Sequence, residues 1–222
     1  MKTAAVVLSY HLTRHLKGVL KHLSTLDKVL VINERLKGVK EQLDKTEAIV
    51  KKLNQPNVEL ITGEGSEQHE VLNKGIQLLD SYDMVFINDA DEFIIPRDRN
   101  RIIEKMIDSD ADAGFCNVID YFNMSLAYPM RGHKAVVVVK PKNVKFYDNR
   151  CLQFGSGVQF DGMFIHHFGF AMGEDSIKWK LKVECYAKDR KEIDFIINQD
   201  KQEKDVPKAI LQYVEEKELD HE

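Results

Sequence analysis

The sequence predicts an α/β protein in which a largely parallel sheet flanked by helices fills the first half and a mixed extension of that sheet fills the second. Three observations predict it. Short apolar runs at residues 4–8, 28–32, 58–62 and 84–87 alternate with stretches whose apolar residues recur at helical spacing. The run Met84-Val85-Phe86-Ile87 is unbroken, as suits a strand buried on both faces of a parallel sheet. After Pro96 the alternation stops, and residues 113–119, 135–139, 144–147 and 163–170 read mainly as strands.

Each element has its own signal. Residues 4–8 form the first strand, with Ser9 and Tyr10 at its carboxyl end, and Leu12, Leu16, Val19, Leu20 and Leu23 mark the first helix. The second strand, 28–32, ends at Asn33-Glu34. Leu36, Val39, Leu43, Val50 and Leu53 mark a second helix, which Gln55-Pro56-Asn57 breaks. After the third strand, Gly63-Glu64-Gly65-Ser66 reads as a loop whose Ser66 caps the next helix, with Val71, Leu72, Ile76 and Leu79 as its apolar face. Ile102, Ile103, Met106 and Ile107 suggest a short helix, 150–162 a glycine-bearing loop, and 175–188 a further helix. In the charged tail, Asp205 is expected to cap a helix with Pro207 in its first turn. No repeat, low-complexity segment or linker interrupts the chain. One domain over 1–222 is expected, with a first half (1–96), a second half (97–190) and a helical tail (191–222).

Composition narrows the function classes. The chain is 43% hydrophobic and 31% charged with a net charge of −4, which suits a buried core and gives no basic surface for nucleic acid. Cys116, Cys151 and Cys185 are far apart and without metal-ligand spacing, so they read as reduced, buried thiols of a cytoplasmic protein. No segment approaches the ~20 apolar residues that span a bilayer, which leaves peripheral membrane contact open. The turn Ser9-Tyr10-His11-Leu12-Thr13-Arg14 lacks the glycines of a dinucleotide or phosphate cradle, against dehydrogenases, P-loop kinases and most methyltransferases.

The chemistry concentrates where the fourth strand leaves the core, at Asp89-Ala90-Asp91-Glu92-Phe93. Ligands of open α/β sheets bind at the carboxyl ends of the strands. If the backbone stays extended, Asp89 and Asp91 point the same way. Two hard oxygen donors there suit Mg²⁺ or Mn²⁺, with a phosphate completing the shell. The plain alternative is a solvated turn, in which Glu92 does no more than meet water. His166 and His167 alternate on the last strand, so one of them faces the cleft. Tyr10 stands where it could stack on a nucleotide base, and Asn33 and Glu34 where they could bind base or ribose. Arg14 and Lys74 could reach phosphate or simply coat helices, and His11, His15, His22 and His69 read as surface residues.

With these residues placed, the chain resembles a GT-A fold glycosyltransferase of the family-2-like kind, over roughly residues 3–188. Asp89-Ala90-Asp91 resembles the DxD motif, Asn73-Lys74-Gly75-Ile76 the Asn-x-Gly-Ile before it, and His167-Phe168-Gly169-Phe170, followed by Lys180, a late His-aromatic-Gly-aromatic segment. The resemblance implies a Rossmann-like nucleotide-binding sheet, with 1–96 as the donor half and 97–190 as the acceptor and catalytic half, and a metal-dependent transfer of sugar from a nucleotide-diphosphate donor, a UDP-sugar, to a glycan, lipid-linked or protein acceptor. It implies Asp91 as the direct metal ligand, Asp89 as an orienter of ribose or a metal-bound water, and His167 as a further metal or phosphate ligand. It also implies inversion, which needs a carboxylate base beyond the fourth strand. Asp148 and Asp161, at the two sides of the glycine-bearing loop, are the candidates, ahead of Asp120. The competing readings are a nucleotidyltransferase, which lacks its loop here, an aspartyl-phosphate phosphatase, which would carry its acids on the first strand, and a non-catalytic nucleotide or sugar binder of the same fold.

Overall fold

Alternate residues of the first strand part to opposite faces of one sheet, and a core forms on each. The structure is a computed structural model, describing residues 1–9, 14–36, 45–121, 126–127, 134–168 and 202–214. Strand β1 (Thr3–Leu8) is buried along its whole length. Ala5 and Val7 join Val29, Val31 and Phe86 on one face, against Leu16, Val19 and Leu20 of helix α1 (Leu16–His22) and Ile102 and Met106 of a later helix. Ala4, Val6 and Leu8 join Leu30, Ile32, Val85 and Ile87 on the other, against Val71, Leu72 and Ile76. Burial on both faces explains why these strands read as continuous apolar runs.

The remaining elements are β2 (Lys28–Leu36), α2 (Thr46–Leu53), β3 (Val58–Ser66), α3 (Gln68–Leu78), β4 (Met84–Asp89), β5 (Glu92–Phe93), α4 (Pro96–Ser109), β6 (Ala113–Asp120), β7 (Leu126–Ala127), β8 (Lys134–Val139), a 3₁₀ turn (Pro141–Asn143), β9 (Lys145–Asp148), β10 (Cys151–Gln153), β11 (Gly157–His167), β12 (Gln202–Glu203) and α5 (Lys208–Leu211). The main sheet has the order β3-β2-β1-β4-β8-β6-β11-β5. The strands β3, β2, β1 and β4 are parallel; β8 runs antiparallel to both β4 and β6, and β11 runs parallel to β6. The carboxyl ends of β1, β2, β4, β6 and β11 therefore share one edge. This is the expected α/β sheet with its mixed extension.

Several boundaries differ from expectation. Strand β2 runs past Ile32 to Leu36, so Leu36 belongs to a strand, and helix α2 begins only at Thr46. Strand β3 includes Gly63 to Ser66, because continued pairing with β2 holds the glycines extended. The cap of α3 is Glu67, in a reciprocal capping box with Glu70, while the Ser66 hydroxyl donates to Glu34. The expected short helix after Pro96 runs for 14 residues, started by that proline at its first turn. Residues 150–162 are not a loop: they contain β10 and the first half of β11. Gly162, at φ +73°, sits where the pairing of β11 with β6 shifts register, and it is this glycine with Gly155 and Gly157 that gives the stretch the look of a loop. The cap of α5 is Pro207, without help from Asp205. Segment 202–214 packs back on α1, where Gly18 meets the main chain of Tyr213 so closely that a Cβ would strike its carbonyl oxygen. The expected helix at 175–188 lies outside the described residues.

Candidate active site

The turn after β4 builds the site. Asp89 closes the strand level with Leu8, which in turn pairs with Ile32. The chain then bends, with the Ala90 N–H donating to the Leu8 carbonyl at 2.9 Å. Asn88 Nδ2 donates to the Glu92 carbonyl at 2.8 Å, and the Asp89 N–H donates to Glu92 Oε2 at 3.0 Å. Glu92 is thus a buried strut of the turn and not a solvated acid. The bend also removes the premise of an extended backbone through Ala90 and Asp91; Asp89 pairs with Arg150 and Asp91 with His167.

Strand β5 decides the second meeting. It pairs antiparallel with the end of β11, His166 opposite Phe93 and His167 opposite Glu92. The Phe168 N–H donates to the Asp91 carbonyl at 2.9 Å, which draws the Asp91 turn onto the histidine strand. His167 Nε2 lies 3.5 Å from Asp91 Oδ1, and its Nδ1 lies 2.5 Å from Oδ1 of Asp120 at the end of β6. Burial works against a charge on this ring, but Asp91 and then Asp120 outweigh it and hold its pKa well above the ordinary histidine range. His166 points away: its Nδ1 bonds the Tyr121 hydroxyl at 3.0 Å, and burial lowers its pKa to about 4.

Asp89 has a different environment. Arg150 Nη1 lies 3.3 Å from its Oδ2, while Oδ1 is buried and has no hydrogen-bond partner among the described residues. Burial raises its pKa to about 6, Arg150 opposes the rise, and Glu92 and Asp91 add to it.

The other expected residues fall less neatly. Asn33 and Glu34 are buried on β2, two strand positions from β4 across the sheet. Glu34 already serves Ser66 and Lys74, the latter at 3.2 Å, so Lys74 is tied to a carboxylate. Asn73 exchanges two main-chain bonds with Phe146, at 2.8 and 2.9 Å, and fastens β9 to α3. Asp148 is exposed at the end of β9. Asp161 does not precede the histidine strand but lies within it, exposed, six residues from His167 and so roughly 20 Å away along extended chain. Of the three acids weighed as base, the fold brings Asp120 to the cluster. Tyr10 lies outside the described residues, as do His11 and Lys180. His15 and His22 are buried, not at the surface, and Cys151 is exposed. Arg150 was missed: one arginine in a presumed loop carries no spacing signal.

A sequence profile of glycosyl transferase family 2 matches residues 41–178, more than half of the chain. The chain belongs to glycosyl transferase family 2. The matched span of this family-2 domain runs from before α2 to beyond His167, so it holds the Asp89–Asp91 turn, Asp120 and Arg150. Solved structures share its fold. The S. aureus TarS fragment 1–349 in complex with UDP aligns with 89% of this chain and 70% of that one, at 13% identity and a TM-score of 0.54. The same fragment in complex with UDP-GlcNAc aligns over 89% and 70%, at 12% identity and a TM-score of 0.52. No curated protein matches the chain.

A divalent cation fits the donors at this edge only in part-protein form. Among the described residues no three His, Cys, Asp or Glu side chains already converge as a metal cluster. Asp91 and His167 come as a pair, and an acidic partner on the far ring nitrogen, here Asp120, is the usual way a metal-ligating histidine is oriented. A shell completed by water and phosphate suits Mg²⁺ and Mn²⁺, which keep waters and bind through one or two carboxylates.

Proposed function

We propose that this family-2 domain transfers a sugar from a nucleoside-diphosphate donor, a UDP-sugar, to a hydroxyl of a glycan, lipid-linked or protein acceptor, with inversion and with the help of Mn²⁺ or Mg²⁺. The observation that carries the reading is the meeting of Asp91, His167 and Asp120 beside Asp89 at the carboxyl edge of the sheet. That edge is where open α/β sheets bind ligands. The binding of UDP and of UDP-GlcNAc by the TarS fragment, which shares the fold, supports the choice of donor.

The residues divide the work. Asp91 and His167 would hold the cation, which when bound neutralises charge developing on the leaving diphosphate. Asp89 orients the donor's ribose or a water at the cation. Asn33 and Glu34, buried in the carboxyl-terminal half of β2, are assigned to the base and ribose, as is Tyr10 by its place in the sequence after β1. For the acceptor-side base, geometry favours Asp120 over Asp148, which is exposed on the β9–β10 hairpin, and over Asp161, which is remote. A base must lie within hydrogen-bond reach of the hydroxyl it deprotonates while the sugar carbon is attacked from the opposite side. Cytoplasmic placement with peripheral membrane contact remains part of the proposal; among the described residues no helix is long and apolar enough to cross a membrane.

A thermal-shift screen of UDP, GDP, ADP and CDP with and without Mn²⁺ tests the donor, since a ligand of the native state raises the melting point by mass action. UDP with Mn²⁺ should give the largest shift. Hydrolysis of UDP-sugars in the same buffer then separates an enzyme from a binding protein of the same fold. A chain that no nucleotide stabilises would overturn the reading.

A further inference from the structure

We propose that Arg150 is a positioning residue that works through Asp89, selecting which carboxylate oxygen the site presents; the inference rests on the nucleotide-sugar reading above. Asn149 and Arg150 form the two-residue turn between β9 and β10, where Asp148 pairs with Cys151. Asn149 takes the left-handed conformation at φ 42°, which asparagine tolerates better than most residues. The turn projects Arg150 inward, so that its side chain is only 16% exposed. Its Nη1 donates to Glu92 Oε1 at 2.6 Å and to Asp89 Oδ2 at 3.3 Å. Its Nη2 donates to the Val136 carbonyl at 2.9 Å and the Ile87 carbonyl at 3.3 Å.

These four acceptors lie on β4, β5 and β8, so one guanidinium ties the hairpin to the three strands around the turn. A surface ion pair would not engage two main-chain carbonyls of neighbouring strands. The guanidinium fork suits this use because its donors have a fixed planar geometry that an ammonium lacks. The consequence falls on Asp89. Arg150 holds Oδ2, and Glu92, itself held by Arg150, takes the Asp89 N–H. Oδ1 is left buried without a hydrogen-bond partner among the described residues. A buried carboxylate oxygen in that condition calls for a ligand, and a donor's ribose hydroxyl or a water on the cation would supply it.

The test is a double-mutant cycle on the full chain, read by calorimetric titration of UDP in the presence of Mn²⁺, with no turnover involved. Arg150→Met should weaken UDP–Mn²⁺ binding by roughly 10- to 100-fold, the range for groups that orient a metal or ligand contact. Arg150→Lys should recover part of the loss. In an Asp89→Asn background, Arg150→Met should add less than about twofold, because residues acting through one another are not additive. Urea unfolding of every variant reports stability separately. Should Arg150→Met fail to fold, Arg150→Lys and Arg150→Lys with Asp89→Asn complete the cycle. Wild-type affinity in the Arg150 variants, or losses that multiply in the double variant, would overturn the inference while leaving the nucleotide site standing. Absence of UDP–Mn²⁺ binding by the wild-type chain would instead remove the reading on which it rests, and this inference with it.

Discussion

His167 Nδ1 and Asp120 Oδ1 stand 2.5 Å apart, although 47 residues separate them in the chain. The parallel pairing of β11 with β6 sets them side by side, in register at the last rung. Asp120 thereby fixes the ring so that Nε2 faces Asp91. An Asp120→Asn variant separates two roles: as the base, it should abolish sugar transfer with donor binding near normal. If UDP–Mn²⁺ affinity falls instead and transfer falls only in proportion, Asp120 does no more than orient His167.

The Asp91→Asn substitution keeps the side-chain shape and removes a charge from the cation's donors. Its expected effect is loss of the Mn²⁺-dependent part of UDP affinity, measured by calorimetry with and without the metal. Unchanged Mn²⁺-dependent affinity would reject Asp91 as a ligand.

The two adjacent histidines should respond differently. His167→Ala is expected to weaken UDP–Mn²⁺ binding at least about tenfold. His166→Ala removes a buried ring and its bond to Tyr121, so it should lower stability by ~1–3 kcal/mol with binding nearly unchanged. The opposite ranking would mean that His166 carries the ligand role.

His22 offers a pH test of the core. It is buried between the rings of Phe93 and Tyr213, and burial, with the nearby Arg99 guanidinium, lowers its pKa to about 3 despite a main-chain contact with Ile94 that works the other way. The unfolded chain protonates this ring below its ordinary pKa of about 6.5 while the folded chain resists until about 3, so stability falls as pH drops through that window. A His22→Phe variant should lose about 2 kcal/mol less than wild type between pH 7 and pH 5, in urea unfolding at each pH. Parallel pH profiles for the two proteins would show that His22 is protonated in the fold.

Gly18 makes a prediction about the C-terminal segment. A methyl group there meets a main-chain atom, the Tyr213 carbonyl oxygen, which no rotamer change relieves. Gly18→Ala should cost ~1–3 kcal/mol and expose 202–214 to limited proteolysis. Wild-type resistance to protease in this variant would show that the segment docks without that contact.

The sequence by itself determined the layers of this protein and the place of its acids. Runs such as 84–87 can be buried only on both faces, and helical spacing between them leaves few sheets to build. Asp89 and Asp91 had to fall at a strand's carboxyl end for the same local reason. Which of them meets which partner was decided by tertiary structure. The two residues of β5 have no periodicity to read, yet their pairing with β11 turns Asp91 toward His167. Gly162 hides a continuous strand behind a bulge, and so Asp161 read as a site residue when the strand carries it away. Arg150 and Asp120 reach the cluster only through contacts 47 to 61 residues apart in the chain. Side chains brought together by register and crossover leave no spacing in the sequence, because the distance that matters is between strands and not along the chain.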